Sequence, residues 1–299
     1  MKSGFVSIVG RPNVGKSTLL NNILGRKLAI TSDKSGTTRN IIQGVYNDED
    51  SQIVFVDTPG IHKPRHKLEN VLNQKAYSMT HDIDLVLFLV DIKDGFGKGD
   101  EFILEKLKQD KEKVILVLNK IDKISNKEIL LQEIDRLKDL YNFVEIVPIS
   151  SLKDINVLEL IKTIKKYLPE EERAFFDKNY ITNLPTNLMV CELVREKILR
   201  NTEDEIPHSV TCYLENYEET ETLVNLGVLI VVDRDNLKKI IIGKNGNMLK
   251  KIGTDARYDL EEYFNKKVFL SLYVKTIKNW RDREKYLMEL GLKDDLDFE

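Results

Sequence analysis

The chain has 299 residues, of which 41% are hydrophobic and 32% charged, with a formal net charge of −3; these are globular proportions, and the length suits two domains because single cores stop growing near about 250 residues. No stretch reaches the roughly 18 consecutive apolar residues of a spanning helix, and the start "MKSGFVSIVGRP" is interrupted too early for a secretory signal, so a cytoplasmic protein is expected. Cys191 and Cys212 cannot form a disulfide framework, and His62, His66, His81 and His208 show no metal-site spacing.

The first apolar run, "FVSIV", reads as a buried strand, and directly behind it stands "GRPNVGKST", residues 10–18. This fits G-x-x-x-x-G-K-[ST], in which glycines let successive backbone N–H groups converge on phosphate oxygens, the lysine meets the outer phosphates and the hydroxyl reaches a magnesium ion. Gly10, Arg11, Pro12, Asn13, Val14, Gly15, Lys16, Ser17 and Thr18 are thus expected to cradle a nucleotide, with "KSTLLNNIL" a helix closed by Gly25. Next comes the polar loop "SDKSGTTRN", whose Thr37 and Thr38 are placed to fold over a γ-phosphate.

"IIQGVY" and "QIVFVD" are separated by only five residues, too few for a crossover helix, so they read as an antiparallel hairpin. "LVLFLVD", "VILVLN" and "VEIVPIS" follow as near-continuous apolar runs, the pattern of strands buried on both faces of a mainly parallel sheet. The expected fold is α/β: a doubly wound, mainly parallel six-stranded sheet. At the ends of its strands stand Asp57, Thr58, Pro59 and Gly60; Asn119, Lys120, Ile121 and Asp122; and Ser150, Ser151 and Leu152, where ligands bind in open α/β sheets. Asp57, with Ser17 and Thr38, is expected to hold Mg²⁺, and Gly60 to offer an N–H to the outer phosphate. Asp122 can accept two hydrogen bonds from guanine N1 and N2, a donor pair that adenine lacks, so GTP and GDP are expected over adenine nucleotides.

Pro169, an acidic run and "FFDKNYITNLP" break the rhythm, giving a division into a nucleotide domain at 1–168, a linker at 169–185 and a second domain at 186–299. There the order α-β-β-α-α-β reads as a smaller α+β domain. Residues 234–281 hold twelve Lys and Arg against five Asp and Glu, and 282–299 three against seven. Inside the basic window "GKNG" supplies G-x-x-G between two helical stretches, the loop that clamps a nucleic-acid backbone. Gly243, Lys244, Asn245 and Gly246, with Lys239, Lys250 and Lys251, are the candidate RNA-binding residues; Lys238 lies beside them.

Phosphate loop, threonine loop, D-T-P-G, N-K-x-D and the terminal S-S resemble the motif set of translation-factor-related GTPases. End to end, "GRPNVGKSTLLN", "TTR", "DTPGIHKP", "NKID", "EIPHSV", "GKNGNMLKKIG" and "NWRD" are similar to segments of the Era family of bacterial ribosome-assembly GTPases. The resemblance implies a type II KH domain, binding to the 3′ end of small-subunit ribosomal RNA on the pre-ribosomal small subunit, a cytoplasmic monomer and some peripheral contact with the cell membrane. It places Lys16, Thr38, Gly60 and Asn13 in catalysis. Ile61 stands where related enzymes carry a water-orienting glutamine, so intrinsic turnover is expected to be slow, and Asn13 matches an asparagine that helps hold K⁺ in potassium-stimulated relatives. Ser35-Gly36 replaces the family's common Pro-Gln, and Ser151 its usual alanine; contact there runs through backbone N–H groups, so little effect is expected of the hydroxyl. Arg39, Lys63, Arg65 and Lys67 read as solvated surface.

An alternative is a nucleotide-gated adaptor on a membrane or a protein, and another a GTPase partnered with an RNA-modifying enzyme. A membrane helix needs large apolar residues opposite its lysines, whereas "NMLKKIGTDARYDLEEYF" carries acids through its second half.

Overall fold

The computed structural model describes residues 1–32, 34, 37–59, 66–78, 83–110, 113–203, 206–290 and 292. In chain order the elements are β1 (Lys2–Gly10), α1 (Lys16–Leu24), β2 (Ile42–Asn47), β3 (Ser51–Asp57), α2 (Lys67–Ser78), β4 (Leu85–Asp91), α3 (Lys98–Asp110), β5 (Val114–Asn119), α4 (Lys127–Leu137), β6 (Glu145–Pro148), α5 (Val157–Tyr167), α6 (Thr186–Asn201), α7 (Ile206–Ser209), β7 (Val210–Glu219), β8 (Leu223–Val232), α8 (Asp235–Ile242), α9 (Asn247–Phe264), β9 (Lys267–Thr276) and α10 (Glu284–Glu289). They fall into two compact units: Met1–Ala29, Thr38–Lys63 and Leu72–Asn183 form the first, and Ile30–Thr37, Pro64–Val71 and Leu184–Glu299 the second.

The first unit is built on a six-stranded sheet of order β2-β3-β1-β4-β5-β6. All pairings are parallel except β2 with β3, which the short 48–50 connection makes antiparallel. Every residue of β4 and β5 is buried, which is why their sequences run apolar without alternation. On one face Val86, Phe88, Val90, Leu116 and Leu118 pack with Ile103, Leu104 and Leu107 of α3 and Leu137 of α4. Gly25 ends α1 in the left-handed conformation (φ 62°), its N–H bonded to the Asn21 and Asn22 carbonyls, so a glycine there avoids the Cβ penalty. Residues 169–183, read from sequence as linker, belong to this unit: Lys2 bridges Glu170, Gly44 bridges Thr182, and the Phe5 and Phe175 rings lie 5.0 Å apart.

The second unit carries a three-stranded sheet, β7-β8-β9, antiparallel between β7 and β8 and parallel between β8 and β9. Alternation along β8 sends Val224, Leu226, Val228, Ile230 and Val232 into the core with Ile241, Ile252, Ala256 and Leu260 of α8 and α9, which are equally buried. The order α6-β7-β8-α8-α9-β9, with the four-residue α7 inserted, is the expected α-β-β-α-α-β.

Candidate nucleotide and nucleic-acid sites

In the first unit β1 delivers the chain into the phosphate loop and α1 takes it out. Lys16, 6% exposed, arches over the loop and donates from Nζ to the Gly10 and Arg11 carbonyls, both at 3.1 Å. Burial holds its pKa below the usual lysine value, against the opposing pull of Asp57. Gly15 has φ 103°, and a Cβ there would collide with Asn119 Nδ2. Its small size therefore lets the N-K-x-D loop close on the phosphate loop. Asn119 uses that approach: Nδ2 donates to the Val14 carbonyl at 2.7 Å.

The segments expected to recognise the base are interlocked. Asn119 Oδ1 accepts from the Ser151 backbone N–H at 3.0 Å and from Ser151 Oγ at 2.7 Å. Ser150 Oγ donates to Asp122 Oδ1 at 2.6 Å, and Lys120 Nζ donates to the Asn13 carbonyl at 2.8 Å while pairing with Asp91 at 2.5 Å. Ile121 N–H donates to the Ile149 carbonyl at 3.2 Å. Leu152 is 68% exposed. The Ser151 hydroxyl, expected from the sequence to have little effect, is a direct partner of Asn119.

Ser17, Thr38 and Asp57 converge as expected: Ser17 Oγ donates to Asp57 Oδ2 at 2.7 Å and lies 2.9 Å from Thr38 Oγ1. Asp57 Oδ1 is buried with no hydrogen-bond partner among the described residues. Three oxygens with one lone carboxylate oxygen among them fit a hard divalent cation, which prefers such ligands. Burial pushes the Asp57 carboxyl up to about 6, countered by the Lys16 charge and the Ser17 hydrogen bond. Thr58 Oγ1 donates to the Ile8 carbonyl at 3.0 Å, fixing the start of D-T-P-G to β1, and Pro59 is buried behind it. Gly60, Ile61, Lys63, Arg65 and the Ser35-Gly36 pair lie outside the described residues. Pro12 and Thr18 are half-buried and Asn13 is exposed on the loop, with φ 66°.

Two features escape a reading of the sequence. Arg11 pairs through Nε with Asp100 at 2.7 Å and donates from a terminal nitrogen to the Gly95 carbonyl at 2.9 Å. Asp100, fully buried, also accepts from Gly97 N–H at the start of α3. The only sequence signal is an acid in the first turn of a helix. Arg39, expected on the surface, is 4% exposed; Lys67 is exposed as expected and sits 3.8 Å from Glu284.

In the second unit α8 ends at Gly243 (φ 74°), where a Cβ would meet Met248 Cβ at 2.6 Å. Asn245 and Gly246 follow in left-handed conformations (φ 53° and 76°), and α9 then starts without a side-chain cap, leaving first-turn N–H groups for a ligand. Lys239, Lys244, Lys250 and Lys251 are exposed around this turn and Lys238 is half-buried. A cleft of about 430 Å³ runs beside it, with Lys250, Thr254 and Arg257 of α9 on one side and Val268, Leu270 and Leu272 of β9 on the other. Two further motif segments meet: Trp280 of "NWRD", fully buried, donates from Nε1 to the Ser209 carbonyl of "EIPHSV" at 3.1 Å. The charged side chains Arg195, Glu196 and Lys197 of α6 are buried; Arg195 donates to the Thr37 carbonyl, Glu196 accepts from Thr31 N–H at 3.0 Å, and Lys197 pairs with Asp259 of α9.

Fold and motif geometry define a P-loop GTPase domain joined to a KH domain. Residues 5–120 match the family described as 50S ribosome-binding GTPase, and residues 205–281 match the KH domain. The structure of a point variant of Aquifex aeolicus Era bound to GDP and AlF4⁻ is 42% identical, with a TM-score of 0.95, over 98% of this chain and 100% of that one. A structure of Era in complex with MgGDPNP and nucleotides 1506–1542 of 16S ribosomal RNA is 43% identical with the same TM-score and coverage. The chain belongs to the Era family.

Proposed function

We propose that this protein is a GTP-binding and GTP-hydrolysing switch that binds the 3′ end of small-subunit ribosomal RNA and assists late assembly of the small subunit. The observation that carries the nucleotide half is the convergence of Ser17, Thr38 and Asp57 beside Lys16, behind a base loop whose Asn119 is hydrogen-bonded to Val14. The RNA half rests on the glycine turn at 243–246 with its lysines, and on the likeness to an Era structure that holds 16S RNA.

Asp122 faces the guanine N1 and N2 donors, held for them by Ser150; Asn119 and the Lys120 stem brace the phosphate loop against the base loop. Lys16, kept from water, places its charge on the β- and γ-phosphates, where a low dielectric strengthens the attraction. Bound at Ser17, Thr38 and Asp57, Mg²⁺ would neutralise charge building on the phosphoryl oxygens. Thr38 closes over the γ-phosphate and is released when that group leaves. Gly60 gives a backbone N–H to the same phosphate. Ile61 offers no side-chain polar atom to an attacking water, so unassisted turnover is slow; Asn13 would help hold a K⁺, which would supply part of the missing charge.

The base-recognition step is tested by Asp122→Asn. A carboxamide presents an N–H to the 2-carbonyl of xanthine where the carboxylate accepted from the guanine amine, so preference should pass from GTP to xanthosine triphosphate by a factor on the order of 10⁴. Undiminished selectivity for GTP in that variant overturns the assignment.

A further inference from the structure

The geometry points to Asp100 as a positioning residue for the phosphate loop: acting through Arg11, it sets the backbone carbonyls that hold the Lys16 ammonium. The inference rests on the nucleotide reading above and deepens it. Lys16 Nζ donates to the Gly10 and Arg11 carbonyls, both at 3.1 Å, so its place depends on where the peptide units at 10 and 11 lie. The Arg11 side chain is anchored outside the loop. Its Nε lies 2.7 Å from Asp100 Oδ2, and a terminal nitrogen donates to the Gly95 carbonyl at 2.9 Å. Both anchors belong to the β4–α3 connection and the first turn of α3, in the same compact unit as the loop.

The start of α3 is shaped to that side chain. Gly99 is the second residue of the helix, where alanine would favour helix formation, yet a Cβ there would come within 2.7 Å of Arg11 Cδ and 3.1 Å of Arg11 Cγ. Its small size makes room for the arginine. Asp100 accepts from the Gly97 N–H at 2.9 Å, an ordinary contact of a helix start. Capping alone asks for no burial, whereas this carboxylate is fully buried. Burial pushes its pKa above the usual aspartate value, opposed by the Gly97 hydrogen bond and by Arg11. A buried carboxylate stripped of its counter-charge is strongly destabilising, so the pair stays together and ties the phosphate loop to α3. That tie reaches Lys16 through the Arg11 carbonyl.

The full chain is followed by GDP release, GTP turnover at saturating nucleotide and denaturant unfolding. Asp100→Asn keeps an oxygen for the Gly97 N–H and removes the charge that holds Arg11. Gly99→Ala leaves that charge in place and displaces the arginine with a methyl group, while raising helix propensity. Each should speed GDP release and lower kcat by about tenfold, a fraction of the roughly 10²-fold that a displacement of about 1 Å can cost. Preference for GTP over ATP should stay as in wild type, because the base loop is untouched. In Gly99→Ala the fall in kcat should come without a matching loss of stability, which separates positioning from folding; should Asp100→Asn not fold, this variant decides alone. Arg11→Gln combined with Asp100→Asn should lower kcat no further than either alone, as expected of one coupled pair. Kinetics within about twofold of wild type in both variants, whatever the change in unfolding, overturn the proposal and leave Asp100 a structural cap. An effect confined to Asp100→Asn, or additive losses in the double variant, overturns it too, because the effect then does not run through Arg11. A wild-type chain that neither binds nor hydrolyses GTP removes the nucleotide reading itself, and this role with it.

Discussion

Asn119 donates its carboxamide to the Val14 carbonyl at 2.7 Å, so the loop proposed to meet the base is bonded directly to the loop proposed to meet the phosphates. Asn119→Ala leaves a buried carbonyl and the Ser151 donors without their partner, a loss of about 1–3 kcal/mol for each unsatisfied group. GDP affinity by calorimetry should fall roughly tenfold or more, and it should fall for GTP by a similar factor because both nucleotides share base and β-phosphate. Affinity within about twofold of wild type would mean the two loops are held together by other contacts.

Ser151→Ala isolates the hydroxyl from the backbone. The variant keeps the Ser151 N–H bond to Asn119 Oδ1 at 3.0 Å and loses the 2.7 Å bond from Oγ, which is worth about 1 kcal/mol in a buried setting. Nucleotide affinity should weaken about fivefold, less than in Asn119→Ala. A neutral result would show that water or backbone adjustment replaces the hydroxyl.

The Asp57 carboxyl gives opposite pH dependences to folding and to nucleotide binding. In the nucleotide-free protein burial raises it to about 6, above the value of about 3.9 in an unfolded chain. The folded state therefore holds more protons between those values; the stability due to this group is complete below about pH 4 and lost as pH rises through about 6. Asp57→Asn should remove that loss, making the nucleotide-free variant more stable than wild type at neutral pH by on the order of 2–3 kcal/mol, as read by denaturant unfolding. If Asp57 holds the magnesium as proposed, affinity for magnesium-bound GTP should fall as pH drops below about 6 in wild type. Parallel pH profiles in wild type and variant would exclude Asp57 as the titrating group.

The strand order and the helices between strands are legible in the sequence because burial on both faces leaves continuous apolar runs such as "LVLFLVD", and the short 48–50 turn leaves no choice but a hairpin. The candidate phosphate, magnesium and base positions can be picked out of the sequence because the proposed chemistry demands particular side chains at strand ends. Contacts that depend on close approach cannot be. Nothing in "NKID" announces that Asn119 fills the space a Gly15 side chain would take, nor does "GKGD" announce that Asp100 anchors Arg11. The charged run "REK" falls within α6, where Arg195, Glu196 and Lys197 are buried because each finds a partner: a carbonyl, an N–H or a carboxylate. Periodicity records apolar burial and is blind to charge buried in matched sets. Arg39, buried despite its charge, is a further case.

The switch reading proposed above requires that the state of the nucleotide govern the grip on RNA, and reciprocity then requires that RNA favour the same nucleotide in return. The most direct measurement titrates the full chain with a single-stranded oligoribonucleotide matching the 3′ end of small-subunit ribosomal RNA, in a GTP-analogue state and in the GDP state, at two salt concentrations. The expected result is tighter binding with the GTP analogue, by at least about fivefold, and a loss of affinity with salt in both states as phosphate contacts to Lys239, Lys244, Lys250 and Lys251 are screened. Equal affinities in the two nucleotide states would contradict it.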